Sequence, residues 1–435
     1  MLIDHFPSAP SYRPPGAGHM DLVSFYVADM YNSSHCLLGF LLLPFSHLVL
    51  VHGVLLVALL LIVWLLCCPR RCERKSRKEH ARLKRPKTEL LPPFPNGWIP
   101  ILESSELRVQ QIEPIDVLGE HLVAFRTADG KAHVTDAYCP HLGANLGVKG
   151  RVVGNCVECP FHGWRYDATD GACVHVPYSD AVPSFVRLRT WQTTESMGLI
   201  FVWYHAEGTP PSWELPDIPE ITSGEFVQRD RACHIARCQV QDVAENGADV
   251  GHFNYLHRPS GVLSPNIYAS HLDTNSWWSK LTYHRWQTSW SSKEHLAFVK
   301  MHMQISLLGY WPKWLHTETD ALQAGPALFI LTERSRFGKC VVIHSLTPMA
   351  SLKVKIVHRI YAPRQMLKLV WLNHFSMTVA MLERDVAIWN DKIFLKNPAL
   401  VKEDRPIAEY RKWFSQFYSE NSQSVEDVRE KTLDW

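Results

Sequence analysis

The chain has 435 residues, enough for two or three domains of ordinary size. Hydrophobic residues make up 46% and charged residues 20% of the chain, so it can bury a core, and a mainly disordered protein is excluded. The 45 Lys and Arg are nearly balanced by 43 Asp and Glu, which argues against nucleic acid as the main partner. The eleven cysteines lack the dense spacing of a disulfide scaffold, so we expect reduced thiols and metal chemistry.

An uninterrupted apolar run near the amino terminus predicts a transmembrane helix. Residues 36–68 contain no Asp, Glu, Lys or Arg, and the 21 residues of 48–68 can span a hydrocarbon core of ~30 Å. Ten Lys or Arg follow between residues 70 and 87, so the positive-inside rule places the rest of the chain in the cytosol. We therefore predict a single-pass protein of an intracellular membrane, with the endoplasmic reticulum expected, that contacts membrane lipid. Its segments are a luminal terminus at 1–35, an anchor at 36–68 and a basic linker at 69–96.

A small all-β domain is predicted at residues 97–206. Segments 122–127 and 132–135 flank Asp129 and Gly130, an arrangement typical of a β-hairpin. Similar short apolar segments continue towards the end of this range, which favours several small sheets over helices.

The remainder, residues 207–435, is predicted to be a larger α+β domain with an antiparallel sheet. It opens with a proline-rich connection that cannot form a central strand. Apolar positions spaced by three, four or seven residues predict a packed helix over 365–396. The fold class is therefore α+β, preceded by an amino-terminal transmembrane helix. Strands of the larger domain are predicted at 328–332, 341–346 and 354–361.

The first metal-binding pattern lies in the small domain. Cys139-x-His141 is followed, after 17 residues, by a Cys-x2-His pair at Cys159 and His162. Two loops thus supply two thiolates and two imidazoles. A Rieske [2Fe-2S] cluster uses this ligand set, because the thiolates hold one iron and the imidazoles the other. A tetrahedral zinc site built from the same four side chains is the alternative.

The residues around these ligands resemble the two Rieske boxes along their full length, including the glycines at Gly143 and Gly163. This resemblance favours the cluster over zinc. Rieske proteins of the respiratory and photosynthetic complexes carry a further Cys in each box, whereas this chain has Ala144 and Phe161 there. Trp164 stands where that class has a hydroxyl donor, so we expect a lower reduction potential and the oxygenase or ferredoxin subtype.

The second metal-binding pattern lies in the larger domain, where Asp249-x2-His252 is followed by His257. Two imidazoles and a distant carboxylate form the facial triad of non-haem iron oxygenases, which leaves positions open for dioxygen. Residues five apart lie about 140° apart on an ideal helix. Shared ligation therefore predicts that the helix ends or bulges between the two histidines.

Asn246, Asp249, His252 and His257 together resemble the Asn-x2-Asp-x2-His-x4-His motif of the α-subunits of Rieske non-haem iron oxygenases. The resemblance implies that the histidines bind iron and that the Asn lies beside it. It also implies that Asp249 connects the iron site to a Rieske histidine of a neighbouring subunit in a homotrimer. The third ligand of that family is an Asp in a Glu-x-Asp-x3-Trp setting, which places it at Asp385; nearby Asp391 is the competing candidate.

The chain also resembles the Neverland-type cholesterol 7-desaturases of animals over about residues 90 to 400. That resemblance implies a helix-grip-type catalytic domain and conversion of cholesterol to 7-dehydrocholesterol, in sterol or steroid hormone biosynthesis. The implied cofactors are the [2Fe-2S] cluster, a mononuclear Fe(II), O2 and NAD(P)H. The sequence contains no dinucleotide-binding Gly-x-Gly-x-x-Gly after a strand, so we expect electrons to arrive through a separate reductase.

Two other functions stay open from the sequence. A sterol or other lipid hydroxylase of the same family shares the iron motifs, and a membrane-bound electron carrier would need only the cluster. His271, His284 and His295 have no ligand spacing and are expected to be ordinary residues, and Cys156 and Cys173 to be core thiols. Aromatic side chains of the larger domain are expected mostly in the core, with some available for a sterol pocket: Trp277, Trp278, Trp286, Trp290, Tyr310, Trp311 and Trp314.

Overall fold

The computed structural model describes residues 89–258 and 282–430. Within those ranges, no helix is long and apolar enough to cross a membrane. The longest described helix, Lys368–Trp389, carries three consecutive charged residues near its carboxyl end. The predicted single-pass membrane localisation is corrected accordingly. The stretch on which that prediction rested, residues 36–68, lies outside the described residues.

The amino-terminal part of the described chain consists of small antiparallel sheets, as the sequence predicted. One sheet has the strand order β1-β11-β10, a second β2-β3-β4-β9 and a third β5-β6-β7-β8. The strands are β1 Gly97–Glu103, β2 Ile112–Val117, β3 Glu120–Arg126, β4 Ala132–Asp136, β5 Arg151–Val153, β6 Cys156–Glu158, β7 Arg165–Asp167, β8 Cys173–His175, β9 Thr190–Trp191, β10 Thr193–Ser196 and β11 Leu199–Tyr204.

The predicted hairpin is present between β3 and β4. Arg126 pairs with Ala132, and Gly130 in the connecting turn has a φ of +85°, which a glycine adopts without strain. Alternate residues of β3 and β4 point into two different cores. Leu122 and Ala124 pack into the larger core, whereas Val123 and Phe125 pack beneath the β5–β8 sheet.

The carboxyl-terminal part is built on one seven-stranded antiparallel sheet with the order β12-β18-β17-β16-β15-β14-β13. All three segments predicted as strands fall inside it. The bounds are β12 Phe226–Ala236, β13 Thr282–Lys293, β14 Leu296–Leu307, β15 His316–Ala324, β16 Leu328–Ser335, β17 Gly338–Ala350 and β18 Lys353–Pro363.

Six α-helices accompany the sheets in the described residues. The long helix predicted at 365–396 is present but shorter, because the chain forms turns before Lys368 and after Trp389. It packs on strands β12, β17 and β18. The helices are α1 Pro219–Thr222, α2 Val240–Ala244, α3 Val250–Tyr255, α4 Lys368–Trp389, α5 Arg405–Phe414 and α6 Val425–Glu430.

A buried arginine joins the small sheets to the large one. The guanidinium of Arg359 on β18 donates hydrogen bonds to the carbonyl oxygens of Met197 and Gly198, at 2.8 and 2.7 Å. Thr347 on β17 donates to the carbonyl of Pro100 on β1 at 2.7 Å. These contacts satisfy polar groups that the packed interface removes from water.

Candidate metal centres

Two similar loops bring the predicted cluster ligands together. One loop follows β4 and the other connects β6 to β7. In the first, the Gly143 amide donates to the Cys139 carbonyl at 2.9 Å, and in the second the Gly163 amide donates to the Cys159 carbonyl at 3.1 Å. Both glycines have a φ of +72°, so each loop closes through a left-handed residue.

The four side chains on these loops fit a cluster with two thiolates and two imidazoles. Cys139 and Cys159 are buried, and the rings of His141 and His162 lie 4.8 Å apart between centroids. The Nδ1 atoms of both histidines are buried without a hydrogen-bond partner among the described residues. Buried polar atoms are seldom left unpaired, so two orphaned imidazole nitrogens beside two buried thiols are well explained by metal ligation.

Two aromatic side chains border this centre. The Tyr166 hydroxyl lies 3.0 Å from Cys139 Sγ, and burial together with that hydrogen bond raises the pKa of Tyr166. Trp164 stacks on His141 at 4.3 Å and donates to the Tyr178 hydroxyl at 2.8 Å. The sequence pattern identified Trp164 but missed Tyr166, because no spacing rule connects a tyrosine 27 residues away to a cysteine.

The two predicted core thiols, Cys156 and Cys173, form no disulfide. Cys173 is buried in the core beneath the cluster loops, whereas Cys156 is half-buried. Burial raises the pKa of both thiols.

The second predicted centre gathers His252, His257 and Asp385. One ligand atom from each lies within 4.8 Å of the others, and His257 Nε2 is 3.2 Å from Asp385 Oδ1. His257 and Asp385 are buried, which leaves two imidazoles and one carboxylate facing one small space. Asp391 is not part of this group. The arrangement fits the two-histidine, one-carboxylate set that binds non-haem iron.

The end of helix α3 explains how His252 and His257 share one site. The helix ends at Tyr255, and the His257 amide donates to the His252 carbonyl at 3.4 Å, a bond spanning five residues. Such a π-type turn shifts His257 out of the regular helical position. The interruption expected from the five-residue spacing is therefore present.

Two polar side chains, Asn246 and Asp249, contact two of the three candidate ligands, His252 and Asp385. The Asn246 amide lies 3.0 Å from His252 Nε2 and donates to Asp385 Oδ2 at 3.2 Å. Asp249 caps helix α3, since its side chain accepts from the His252 amide at 3.2 Å, and its carbonyl lies 2.5 Å from His252 Nδ1. Burial opposes ionisation of Asp249, but hydrogen bonds from His252 lower its pKa.

His284 was expected to be an ordinary residue, yet it lies beside this centre. Its Nδ1 is 3.0 Å from the His257 carbonyl, and burial lowers the pKa of His284 to about 4. The ring therefore stays neutral and can donate to that carbonyl. Of the other histidines without ligand spacing, His295 stacks on Trp213, and His271 lies outside the described residues.

A cavity of about 80 Å³, partly open to solvent, lies near the second centre, although none of the three candidate ligands lines it. Two of the predicted aromatic residues, Trp286 and Trp314, line it. Trp290 packs instead against Tyr410 and Trp413. Trp277 and Trp278 lie outside the described residues.

Two family profiles cover most of the described chain. Residues 97–186 match the Rieske [2Fe-2S] domain, and residues 202–418 match the 3-ketosteroid 9α-hydroxylase C-terminal domain. Solved oxygenase structures share the fold: dicamba monooxygenase bound to 3,6-dichlorosalicylic acid gives a TM-score of 0.55 at 18% identity, covering 74% of this chain and 96% of that one.

Curated relatives extend the comparison. The cholesterol 7-desaturase of Xenopus laevis is 38% identical over 83% of this chain and 80% of its own length. The Drosophila melanogaster enzyme is 40% identical over 77% of each chain. A probable 3-ketosteroid-9-alpha-monooxygenase oxygenase component from Rhodococcus rhodochrous is 29% identical over 72% of this chain and 76% of its own length.

The fold and the two centres define a Rieske oxygenase, an oxidoreductase of a family that uses a [2Fe-2S] cluster, non-haem iron, O2 and NAD(P)H. Within that class, the chain belongs to the family of the cholesterol 7-desaturases.

Proposed function

We propose that this protein removes one hydrogen from C7 and one from C8 of cholesterol to give 7-dehydrocholesterol. The sterol gives up two electrons and two protons, NAD(P)H supplies two more electrons, and two further protons complete the reduction of O2 to two waters. The observation that carries the proposal is the pairing of both metal centres in a chain 38% to 40% identical to animal cholesterol 7-desaturases.

We assign the cluster to Cys139, His141, Cys159 and His162, and the iron to His252, His257 and Asp385. The cluster supplies single electrons, and the iron supplies an open coordination site at which dioxygen is activated. The chain itself fixes the ligands: Asn246 contacts His252 and Asp385. The proposed domain boundaries are 97–206 for the cluster domain and 207–435 for the catalytic domain.

We further propose a homotrimer in which electrons pass between subunits through Asp249. Exposed apolar side chains support this assembly. Leu142 and Phe161 beside the cluster ligands are 64% and 63% exposed, and Tyr255, on helix α3 after Asp249, is 66% exposed. A single exposed apolar side chain of this size is common on protein surfaces. Several of them beside a redox centre favour a contact with another protein chain. A separate reductase completes the electron path.

A sterol hydroxylase is the second candidate function. It is supported by the match of residues 202–418 to the 3-ketosteroid 9α-hydroxylase domain and by the 29% identical bacterial relative. A pure electron carrier is less well supported, because His252, His257 and Asp385 all converge.

Asp385→Ala tests the proposal in cells fed labelled cholesterol. We expect the wild-type protein to form labelled 7-dehydrocholesterol and Asp385→Ala to form none, while both keep the Rieske electron paramagnetic resonance signal. Asp391→Ala is the matched control, because it removes an aspartate outside the candidate ligand group and should keep activity. Product from Asp385→Ala at the wild-type rate would contradict the ligand assignment.

A further inference from the structure

A connected polar group lies in the wall of the cavity beside the iron site. Glu333 on β16 accepts hydrogen bonds from His374 Nδ1 at 2.9 Å and from the Thr378 hydroxyl at 3.2 Å. His374 Nε2 lies 3.2 Å from the Ser335 hydroxyl. All four side chains line the cavity. We call Glu333, Ser335, His374 and Thr378 the Glu333 cluster.

The rest of the cavity wall is largely apolar. Burying a carboxylate in such surroundings costs free energy that its hydrogen bonds only partly offset, and an apolar pair of similar shape is often as stable. The placement of Glu333 therefore points to a role in binding rather than in folding. The apolar side chains include Trp286, Met303, Ile305, Trp314, Met377 and Met381.

Helix α4 carries both a wall of the cavity and the candidate iron ligand Asp385. His374, Thr378, Met381 and Asp385 follow one another at spacings of four, three and four residues, so they lie on one helix face. Thr378 is seven residues from Asp385, roughly 10 Å along the axis. Trp286 on β13 also lines the cavity, and its Nε1 donates to the His257 carbonyl at 3.4 Å. A ligand that reaches from the Glu333 cluster to the candidate iron ligands therefore runs along this face of helix α4, past Met381.

The Glu333 cluster can accept further hydrogen bonds. A carboxylate offers about four acceptor positions, and two of those of Glu333 are used by His374 and Thr378. A ligand hydroxyl could therefore donate to Glu333 and accept from a neighbouring donor. A sterol has one such hydroxyl, at C3 on its first ring, while C7 and C8 lie on the adjoining ring.

We propose that the Glu333 cluster is the receptor for the C3 hydroxyl of the sterol. Binding there positions C7 and C8 in front of the iron. The proposal rests on the function proposed above. The ligand is held by one charge-assisted hydrogen bond at its polar end and by apolar contact along its rings. Selection for a free hydroxyl follows, because a sterol without it covers the remaining acceptor positions of the buried Glu333 without filling them.

The test compares binding of cholesterol and of cholest-5-ene, which lacks only the C3 hydroxyl. Both sterols are supplied in labelled form from cyclodextrin to the purified holoprotein, and equilibrium binding is measured. We expect the wild-type protein to prefer cholesterol by about tenfold or more, as a hydrogen bond to a charged group gives. Glu333→Gln should lose most of that preference by weakening cholesterol binding alone.

Glu103→Gln is the matched control. Glu103 is also a buried glutamate, 4% exposed against 7% for Glu333, and it pairs with Arg231 away from the cavity. The control should keep the wild-type sterol preference. If Glu333→Gln does not fold, the double variant Glu333→Leu/His374→Leu replaces it, because removing both partners leaves neither buried alone. Folding is checked by the thermal midpoint and the cluster absorbance.

Three results would overturn the receptor: equal weakening of both sterols in Glu333→Gln, an unchanged preference in that variant, or the same loss of preference in Glu103→Gln. Turnover measured on the same samples after addition of the reductase, NAD(P)H and O2 separates the two proposals. A protein that prefers cholesterol through Glu333 but forms no diene would refute the desaturase function and keep the receptor. If the wild-type protein forms the diene and Glu333→Gln keeps the preference for cholesterol, the desaturase function stands and the receptor is refuted.

Discussion

At the scale of single residues, a hydrogen bond to the cluster cysteine sets the first prediction. The Tyr166 hydroxyl lies 3.0 Å from Cys139 Sγ, and it can donate to the thiolate because the hydroxyl stays protonated. Donors to cluster sulfur stabilise the more negative reduced state. Tyr166→Phe should therefore lower the Rieske potential, by roughly 40 mV if the bond is worth about 1 kcal/mol more in that state.

Redox titration followed by electron paramagnetic resonance measures this change. Tyr178→Phe is the control, because the Tyr178 hydroxyl accepts from Trp164 rather than contacting sulfur, and its potential should change less. A potential that is unchanged or higher in Tyr166→Phe would refute the role of the hydroxyl as a donor to the cluster.

The candidate ligands were predictable because their spacing is a covalent property of the chain. The four cluster ligands follow one another on two short loops, and His252 and His257 lie in one short segment, so both patterns are visible in the sequence. Glu333, His374 and His284 could not be found in this way. They reach their sites through strand pairing and helix packing over long sequence separations, which the linear pattern does not encode.

At the scale of elements, the two cluster loops differ in how tightly their glycines are packed. A Cβ at Gly163 would lie 2.8 Å from Pro177 Cγ, whereas no atom of the described residues is within 4 Å of one at Gly143. Both positions have the same φ, so they share the backbone strain of a left-handed alanine, roughly 1 to 2 kcal/mol. Only Gly163→Ala adds a steric clash.

We therefore expect Gly163→Ala to lower the iron content of the purified protein much more than Gly143→Ala. Iron per polypeptide and the visible absorbance of the cluster measure the difference. Equal losses in both variants would mean that strain alone decides loop closure, and a larger loss in Gly143→Ala would contradict the packing argument.

The large elements could be predicted to the extent that they repeat a simple period. The apolar spacing identified the packed helix α4 and three strands of the sheet, but not the ends of the helix. Those ends depend on local turns at either side of Lys368–Trp389. The sequence also could not show that one face of α4 would carry both Asp385 and the cavity, since that depends on which strands the helix covers.

At the scale of the whole molecule, buried histidines predict loss of stability in acid. Burial lowers the pKa of His344 to about 3 and that of His358 well below its ordinary value, with His234 adding to both shifts. His234 itself faces Glu383 at 3.4 Å. In the unfolded chain these rings titrate near pH 6.5. Their contribution to stability is therefore complete above that pH and is lost as the pH falls towards 3.

We expect the thermal midpoint to fall between pH 7 and pH 5, and to fall less in His344→Phe/His358→Phe, which cannot take up these protons. Each buried histidine contributes a slope of up to about 1.4 kcal/mol per pH unit below the unfolded pKa. His302→Gln is the control, because the His302 side chain is largely exposed. An identical pH slope in the double variant and the wild type would contradict the account.

The measurement that tests the central claim most directly uses cholesterol with deuterium at both C7 positions and at C8. Removal of one hydrogen from each carbon predicts 7-dehydrocholesterol that has lost two deuterium atoms and kept one. The labelled sterol is incubated with the purified protein, its reductase and NAD(P)H. Mass spectrometry then gives the number of deuterium and oxygen atoms in the product. A product that gains one oxygen, loses one deuterium from C7 and keeps the deuterium at C8 would contradict desaturation and identify a hydroxylase instead.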